Sequence, residues 1–168
     1  MSGVEAYISV GSNLGDKAAN CRYGIEALVG SGACRLLVWS RFYRTEPVDM
    51  TDQDWFVNAV VKVETDLAAE DLLTAMLRVE KEAGRVRGGE RFGPRTLDLD
   101  LIFYGDRVID LEAVRVPHPR MHKRRFVLKP ICDINPSLRH PLLGQTVRQL
   151  LDGLDPSEQK VEAMSCAC

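Results

Sequence analysis

Trp55-Phe56-Val57-Asn58-Ala59-Val60-Val61-Lys62-Val63 alternates at a period of two, the signature of a β-strand. Val57, Ala59, Val61 and Val63 fall on one side, and Phe56, Asn58, Val60 and Lys62 on the other. The valine side is predicted to be core, so the strand belongs inside a sheet with something apolar packed against one face.

Outward from this strand, the neighbouring segments supply the packing partners. Residues 35–45 are rich in Leu, Val, Trp, Phe and Tyr and read as another strand, separated from the first by the polar residues 46–54. Downstream, Leu72, Met76, Val79 and Ala83 recur at helical spacing and stop at Gly84, a natural C-terminal cap. Then Leu97, Leu99, Leu101 and Phe103 alternate with Asp98, Asp100, Ile102 and Tyr104, which predicts a further strand. At the start of the chain, Tyr7-Ile8-Ser9-Val10 runs into the turn formers Gly11-Ser12-Asn13-Leu14-Gly15-Asp16 and a helix over residues 17–29.

The order strand, helix, strand, strand, helix, strand favours a ferredoxin-like α+β sandwich, βαββαβ, an antiparallel sheet with both helices on one face. The opposite face is expected to be open for a site. Beyond Asp106 the chain continues through a short strand at 114–117 and the apolar stretch 126–131 to a last helix near 145–151. No repeat or linker interrupts it, so residues 1–168 are expected to form a single domain.

Composition narrows the function classes. With 45% hydrophobic and 27% charged residues the chain is ordinary globular material, and no apolar run approaches the roughly 20 residues of a membrane-spanning helix. The start shows no signal or transit pattern, so a cytoplasmic location is expected. A net charge of -2 and a pI near 5.9 argue against a nucleic-acid binder. Arginine is concentrated between Arg85 and Arg95 and again at Arg120, Arg124 and Arg125, beside Lys123, which suits a small, multiply charged anion. The five cysteines are odd in number and contain no C-x-x-C pair, so reduced thiols are expected, with Cys166-Ala-Cys168 in a frayed tail.

The sharpest chemical feature is Gly93-Pro94-Arg95-Thr96-Leu97-Asp98-Leu99-Asp100. Two residues apart on a strand, Asp98 and Asp100 point to the same side with Cα atoms about 7 Å apart. Like charges so placed repel unless a cation lies between them, and magnesium is commonly held by one or two carboxylates plus substrate phosphates. Directly before the pair, residues 84–95 carry glycines that free the backbone and arginines whose forked donors suit phosphate oxygens, which predicts a mobile anion clamp. No Walker A or Rossmann glycine motif is present. On the sheet face opposite the valines, Phe56 could stack on a flat heterocycle while Asn58 hydrogen-bonds its edge. Taken singly, Phe56 and Asn58 read first as sheet-surface residues and Phe126 as core, while His118 reads equally as a phosphate or ribose contact and as a surface histidine.

Gly11-Ser12-Asn13-Leu14-Gly15, Ser40-Arg41-Phe42-Tyr43-Arg44-Thr45, Phe56-Val57-Asn58-Ala59, Gly84-Arg85-Val86-Arg87, the run Arg91 to Asp100 and Val116-Pro117-His118-Pro119, in this order, resemble the 6-hydroxymethyl-7,8-dihydropterin pyrophosphokinases. The similarity extends from Tyr7 to about Val147. It implies a ferredoxin-like fold that binds ATP and the pterin together and releases AMP, in folate biosynthesis. It further implies two Mg2+ ions on Asp98 and Asp100, and action of Arg85 and Arg95 on the diphosphate in transfer. Pterin contacts are implied for Thr45, Pro47, Val48, Phe56, Asn58 and Phe126, and ATP contacts for Glu80, Arg85, Arg95, Leu101, His118 and Arg124. A monomer is expected, with no nucleic-acid or membrane partner. The chain departs from familiar members at Phe56, Leu77, Gly88 and Phe92.

Two rival readings remain at the level of sequence. A ferredoxin-like regulatory or RNA-binding module is weakened by the acidic balance, the lack of an aromatic RNP1 motif and an Asp pair for which such a module has no use. The other rival is a magnesium-dependent kinase that moves only the γ-phosphate.

Overall fold

The structure, a computed structural model, describes residues 3–48, 52–84 and 96–165. The chain runs β1 (Val4–Ser12), α1 (Lys17–Gly30), β2 (Arg35–Trp39), β3 (Tyr43–Thr45), β4 (Phe56–Thr65), α2 (Ala69–Glu82) and β5 (Asp98–Tyr104). A small hairpin follows, β6 (Ile109–Asp110) with β7 (Arg115–Val116), then a 3-10 turn (Met121–Lys123), α3 (Arg125–Ile134), α4 (Val147–Asp152) and β8 (Val161–Ala163).

All pairings in the main sheet are antiparallel, in the order β5-β1-β4-β3-β8, with β2 also on β4. β1 to β5 thus give the ferredoxin-like arrangement, except that the segment predicted as one strand at 35–45 is two. Its break has a visible cause: Ser40 leaves the β2 ladder, donates its N–H to the Val60 carbonyl, and accepts the Val60 N–H on its hydroxyl oxygen.

Helix ends follow their chemistry. The Asp16 carboxylate accepts the Ala19 N–H and caps α1, while the turn after α2 places Gly84 at φ 91, where a side chain would be strained. Both helices bury their apolar stripes on one face of the sheet. Ile25 and Leu28 of α1, and Leu72, Met76 and Val79 of α2, meet Ile8, Val10, Val57, Ala59, Val61 and Val63. The valine side of β4 is therefore core.

The opposite face is not simply open. Tyr7, Val60, Ile102 and Phe103 form a second buried cluster with Met121, Val127, Leu128, Ile131, Val147 and Leu150, so α3 and α4 cover one end of that face. Asp133 fastens α3 to the β2–β3 junction, accepting from the Tyr43 hydroxyl at 2.6 Å and the Arg41 guanidinium at 3.0 Å. The strict alternation expected for β5 also fails. A register shift opposite Tyr7 and Ile8 makes Ile102 an extra residue, so Phe103 joins Ile102 in the second cluster and Tyr104 turns to the first.

Two cores imply two comparable costs of truncation. Leu28→Ala in the first cluster and Ile131→Ala in the second are each expected to lower stability by about 2–5 kcal/mol, read from urea unfolding. A loss under about 1 kcal/mol at Ile131 would show α3 to be only loosely seated.

Candidate active site

The part of the sheet that α3 and α4 leave uncovered is the floor of a cavity of about 490 Å³. Strand register builds that floor in rows. Asp98 of β5 pairs with Gly11 of β1, which pairs with Asn58 of β4, while Asp100 pairs with Ser9 in the row beside it. Asp98 and Asp100 both line the cavity, as their spacing predicts, with their backbone positions fixed by the ladder to β1.

At the other end stand the groups suited to a flat heterocycle. Asn58, almost fully buried, donates from Nδ2 to the Thr45 hydroxyl oxygen at 2.6 Å, which fixes the orientation of its amide. Thr45 has accepted that bond, so its own proton is free to be donated elsewhere. Phe56 and Phe126 line the same end with Pro47 and Val48. The Arg124 guanidinium lies 5.4 Å over the Phe126 ring, a cation–π contact that positions an aromatic and a cation together.

His118 lines the cavity near the carboxylates. Its backbone N–H donates to the Ile102 carbonyl, and its ring Nδ1 accepts the Arg120 backbone N–H, so a neutral ring carries its proton on Nε2. Burial, then the positive charges of Arg124 and Arg120, press its pKa down to about 4 against the opposing pull of Asp98. At neutral pH it is an uncharged N–H donor.

Other residues implied by the resemblance fall elsewhere. Leu101 is buried in the first core, on the helix side of the sheet. Glu80 is buried on α2 at 2% exposure and accepts the Leu99 N–H at 2.8 Å, so its carboxylate ties α2 to the start of β5. Neither side chain lines the cavity. Arg85 and Arg95 lie outside the described residues, as do Cys166 and Cys168. Cys21, Cys34 and Cys132 are free thiols, and burial pushes the first two up to about 12 and about 11, leaving them protonated and unreactive.

Several lining residues carry no local signal. Gln53 is held by Asn13, whose amide donates to Gln53 Oε1 at 2.7 Å, so the turn after β1 braces the cavity wall. Gln159, just before β8, donates to the Glu46 carbonyl at 2.6 Å, and Lys160 and Glu46 exchange backbone and side-chain bonds beside it. The end of the chain thereby fixes the Thr45–Val48 wall.

A carboxylate pair and an oriented amide lining one cavity with two aromatic rings, on a ferredoxin-like α+β sheet, are the features expected of a phosphotransferase acting on a flat heterocycle. A family model for 7,8-dihydro-6-hydroxymethylpterin-pyrophosphokinase matches residues 7–136. The 2-amino-4-hydroxy-6-hydroxymethyldihydropteridine pyrophosphokinase of Methylorubrum extorquens is 42% identical over 152 residues, covering 90% of this chain and 94% of the relative. The enzyme of the same name from Pseudomonas aeruginosa is 42% identical over 135 residues, covering 80% and 83%. The folic acid synthesis protein fol1 of Pneumocystis carinii is 43% identical over 141 residues, but the match spans only 19% of its length. Among solved structures, wild-type HPPK-DHPS of Plasmodium falciparum with pteroate superposes with a TM-score of 0.71 at 14% identity. That match covers 90% of this chain and 42% of the larger one, and supports the fold alone. The chain belongs to the 7,8-dihydro-6-hydroxymethylpterin-pyrophosphokinase family and is a diphosphotransferase enzyme.

The His118 assignment has a measurable sign. Between about pH 6.5 and 4 an unfolded chain takes up a proton that folded His118 refuses, so its contribution to stability is present above that window and lost as pH falls through it. NMR titration should find the His118 ring neutral down to near pH 4, and His118→Gln should lessen the acid-side loss of stability. Ordinary titration near 6.5 would contradict the buried setting.

Proposed function

We propose that the cavity holds ATP and the pterin together, with Asp98 and Asp100 at the junction where the diphosphate passes between them. The reaction is pyrophosphoryl transfer from ATP to the hydroxymethyl group of the dihydropterin, in folate biosynthesis. The observation that carries the site assignment is the joint lining of one cavity by the carboxylate pair and by the Asn58–Thr45 end.

The donor set fits magnesium. Both groups are hard oxygen donors on one strand face, and among the described residues no third acid, histidine or cysteine joins them in a metal-holding cluster. The remaining ligands would be ATP phosphates and water, the usual way magnesium is bound. Two ions are proposed. When bound, they neutralise phosphate charge and acidify a coordinated hydroxyl.

The protein's own part is positioning. Phe56 and Phe126 stack on the pterin while Asn58 and Thr45 bond its edge, aiming the hydroxymethyl oxygen along the floor toward Asp98. That oxygen forms a bond to the β-phosphorus as the bond from that phosphorus to the α,β-bridging oxygen breaks, and AMP leaves with that oxygen. The hydroxyl proton departs to solvent or Asp100, because the Nε2 of His118 already holds a proton. His118 instead donates toward phosphate oxygen, and Arg124 supplies positive charge. Arg85 and Arg95 act on the diphosphate in transfer. We further propose that residues 1–168 work as one domain, as a monomer in the cytoplasm, without nucleic-acid partners. Among the described residues no helix is long and apolar enough to cross a membrane.

Replacing either acid tests the junction. Asp98→Asn and Asp100→Asn should leave metal-free thermal stability unchanged or slightly higher, since two like charges lose their repulsion. Turnover at ordinary magnesium should fall by several orders of magnitude. Near-normal turnover in both variants would refute the metal site.

A further inference from the structure

Gly11 is not required by its own backbone. Among the described residues the glycines with positive φ are Gly15, Gly32, Gly84, Gly105 and Gly144, whereas Gly11 is an ordinary strand residue within the β1 ladders. What it lacks is room. A Cβ built there falls 2.4 Å from Asn58 Oδ1 and 3.4 Å from Asn58 Cγ, and the next nearest atom, the Val57 carbonyl oxygen, is at an ordinary 3.7 Å. The obstacle is therefore the Asn58 amide itself, laid across the β1 backbone and held there by its bond to Thr45.

Position in the sheet makes that space consequential. Gly11 is the middle member of the cross-strand row Asp98–Gly11–Asn58. With neighbouring strands about 4.8 Å apart, the Asp98 and Asn58 backbones lie roughly 10 Å from each other, with Gly11 between and the Asn58 amide leaning over it. A methyl group on this face would enter the cavity at the crossing point and turn the amide off Thr45.

We propose that Gly11 is a positioning residue for substrate selection: its missing side chain lets the Asn58 amide lie flat against β1 in the one orientation that Thr45 fixes. The inference rests on the reading of Asn58 as a pterin anchor, and it assigns to the β1 backbone at Gly11 a role in recognition.

A double-mutant cycle tests it. Dihydropterin and ATP are titrated separately by calorimetry into the parent, Gly11→Ala, Asn58→Ala and the double variant. Gly11→Ala should weaken pterin binding roughly 5- to 150-fold, the equivalent of one displaced buried hydrogen bond, with ATP binding unchanged. In the Asn58→Ala background, where the obstructing atoms are gone, the same change should add nothing. Parent-like pterin affinity in Gly11→Ala, or losses that multiply in the double variant, would overturn the proposal. If Gly11→Ala fails to fold, the double variant should recover the thermal stability of Asn58→Ala, and failure to do so would count equally against it. If Asn58→Ala alone binds the pterin as the parent does, the pocket assignment fails first, and the inference with it.

Discussion

Two carboxylates at alternate positions of one strand impose the constraint from which the site follows. Asp98 and Asp100 face the same way because β5 is extended between Leu97, Leu99 and Leu101, which are sunk among the helices. Neither acid can turn into the core without carrying a leucine out of it. Their placement is held by hydrophobic packing on the other side of the sheet, and by the bond from the Leu99 N–H to the buried Glu80 carboxylate.

The same logic explains why recognition sits where it does. The helices claim one face of the sheet, and α3 with α4 claims one end of the other. What remains is an area on β5, β1, β4 and β3 that floors the cavity. Its walls come from far along the chain: Asn13 holds Gln53, and Gln159 holds the Glu46 backbone. Cavity-lining segments with little core of their own are thus anchored by hydrogen bonds to other parts of the chain.

Much of this was legible in the sequence because periodicity reports burial. The period-two valines of β4 and the helical spacing of α2 announce the two layers, and Asp98 and Asp100 announce their own orientation. The bulge at Ile102 was not legible, since it depends on how β1 pairs with β5 rather than on any residue of β5. Nor was the second core. The stretch that becomes α3 contains Pro130 and follows a basic cluster, and its apolar face is recognised only against Tyr7 and Phe103. Asn58, Phe126 and His118, weighed by residue type before the resemblance, and Thr45, added by it, all line the cavity, whereas the side chains of Glu80 and Leu101, drawn from the resemblance alone, are buried outside it. Gln53 bonds the Asn13 side chain 40 residues away and Gln159 the Glu46 carbonyl 113 residues away, relations that a single sequence does not encode locally.

The central claim is that the carboxylate junction directs attack to the β-phosphorus of ATP rather than the γ-phosphorus. Phosphorus NMR of a reaction containing the protein, ATP, magnesium and the hydroxymethyl dihydropterin reads this directly. The account predicts AMP and a pterin diphosphate appearing in equal amounts, with no ADP. ADP with a pterin monophosphate, or ATP consumed without any change in the pterin, would contradict it.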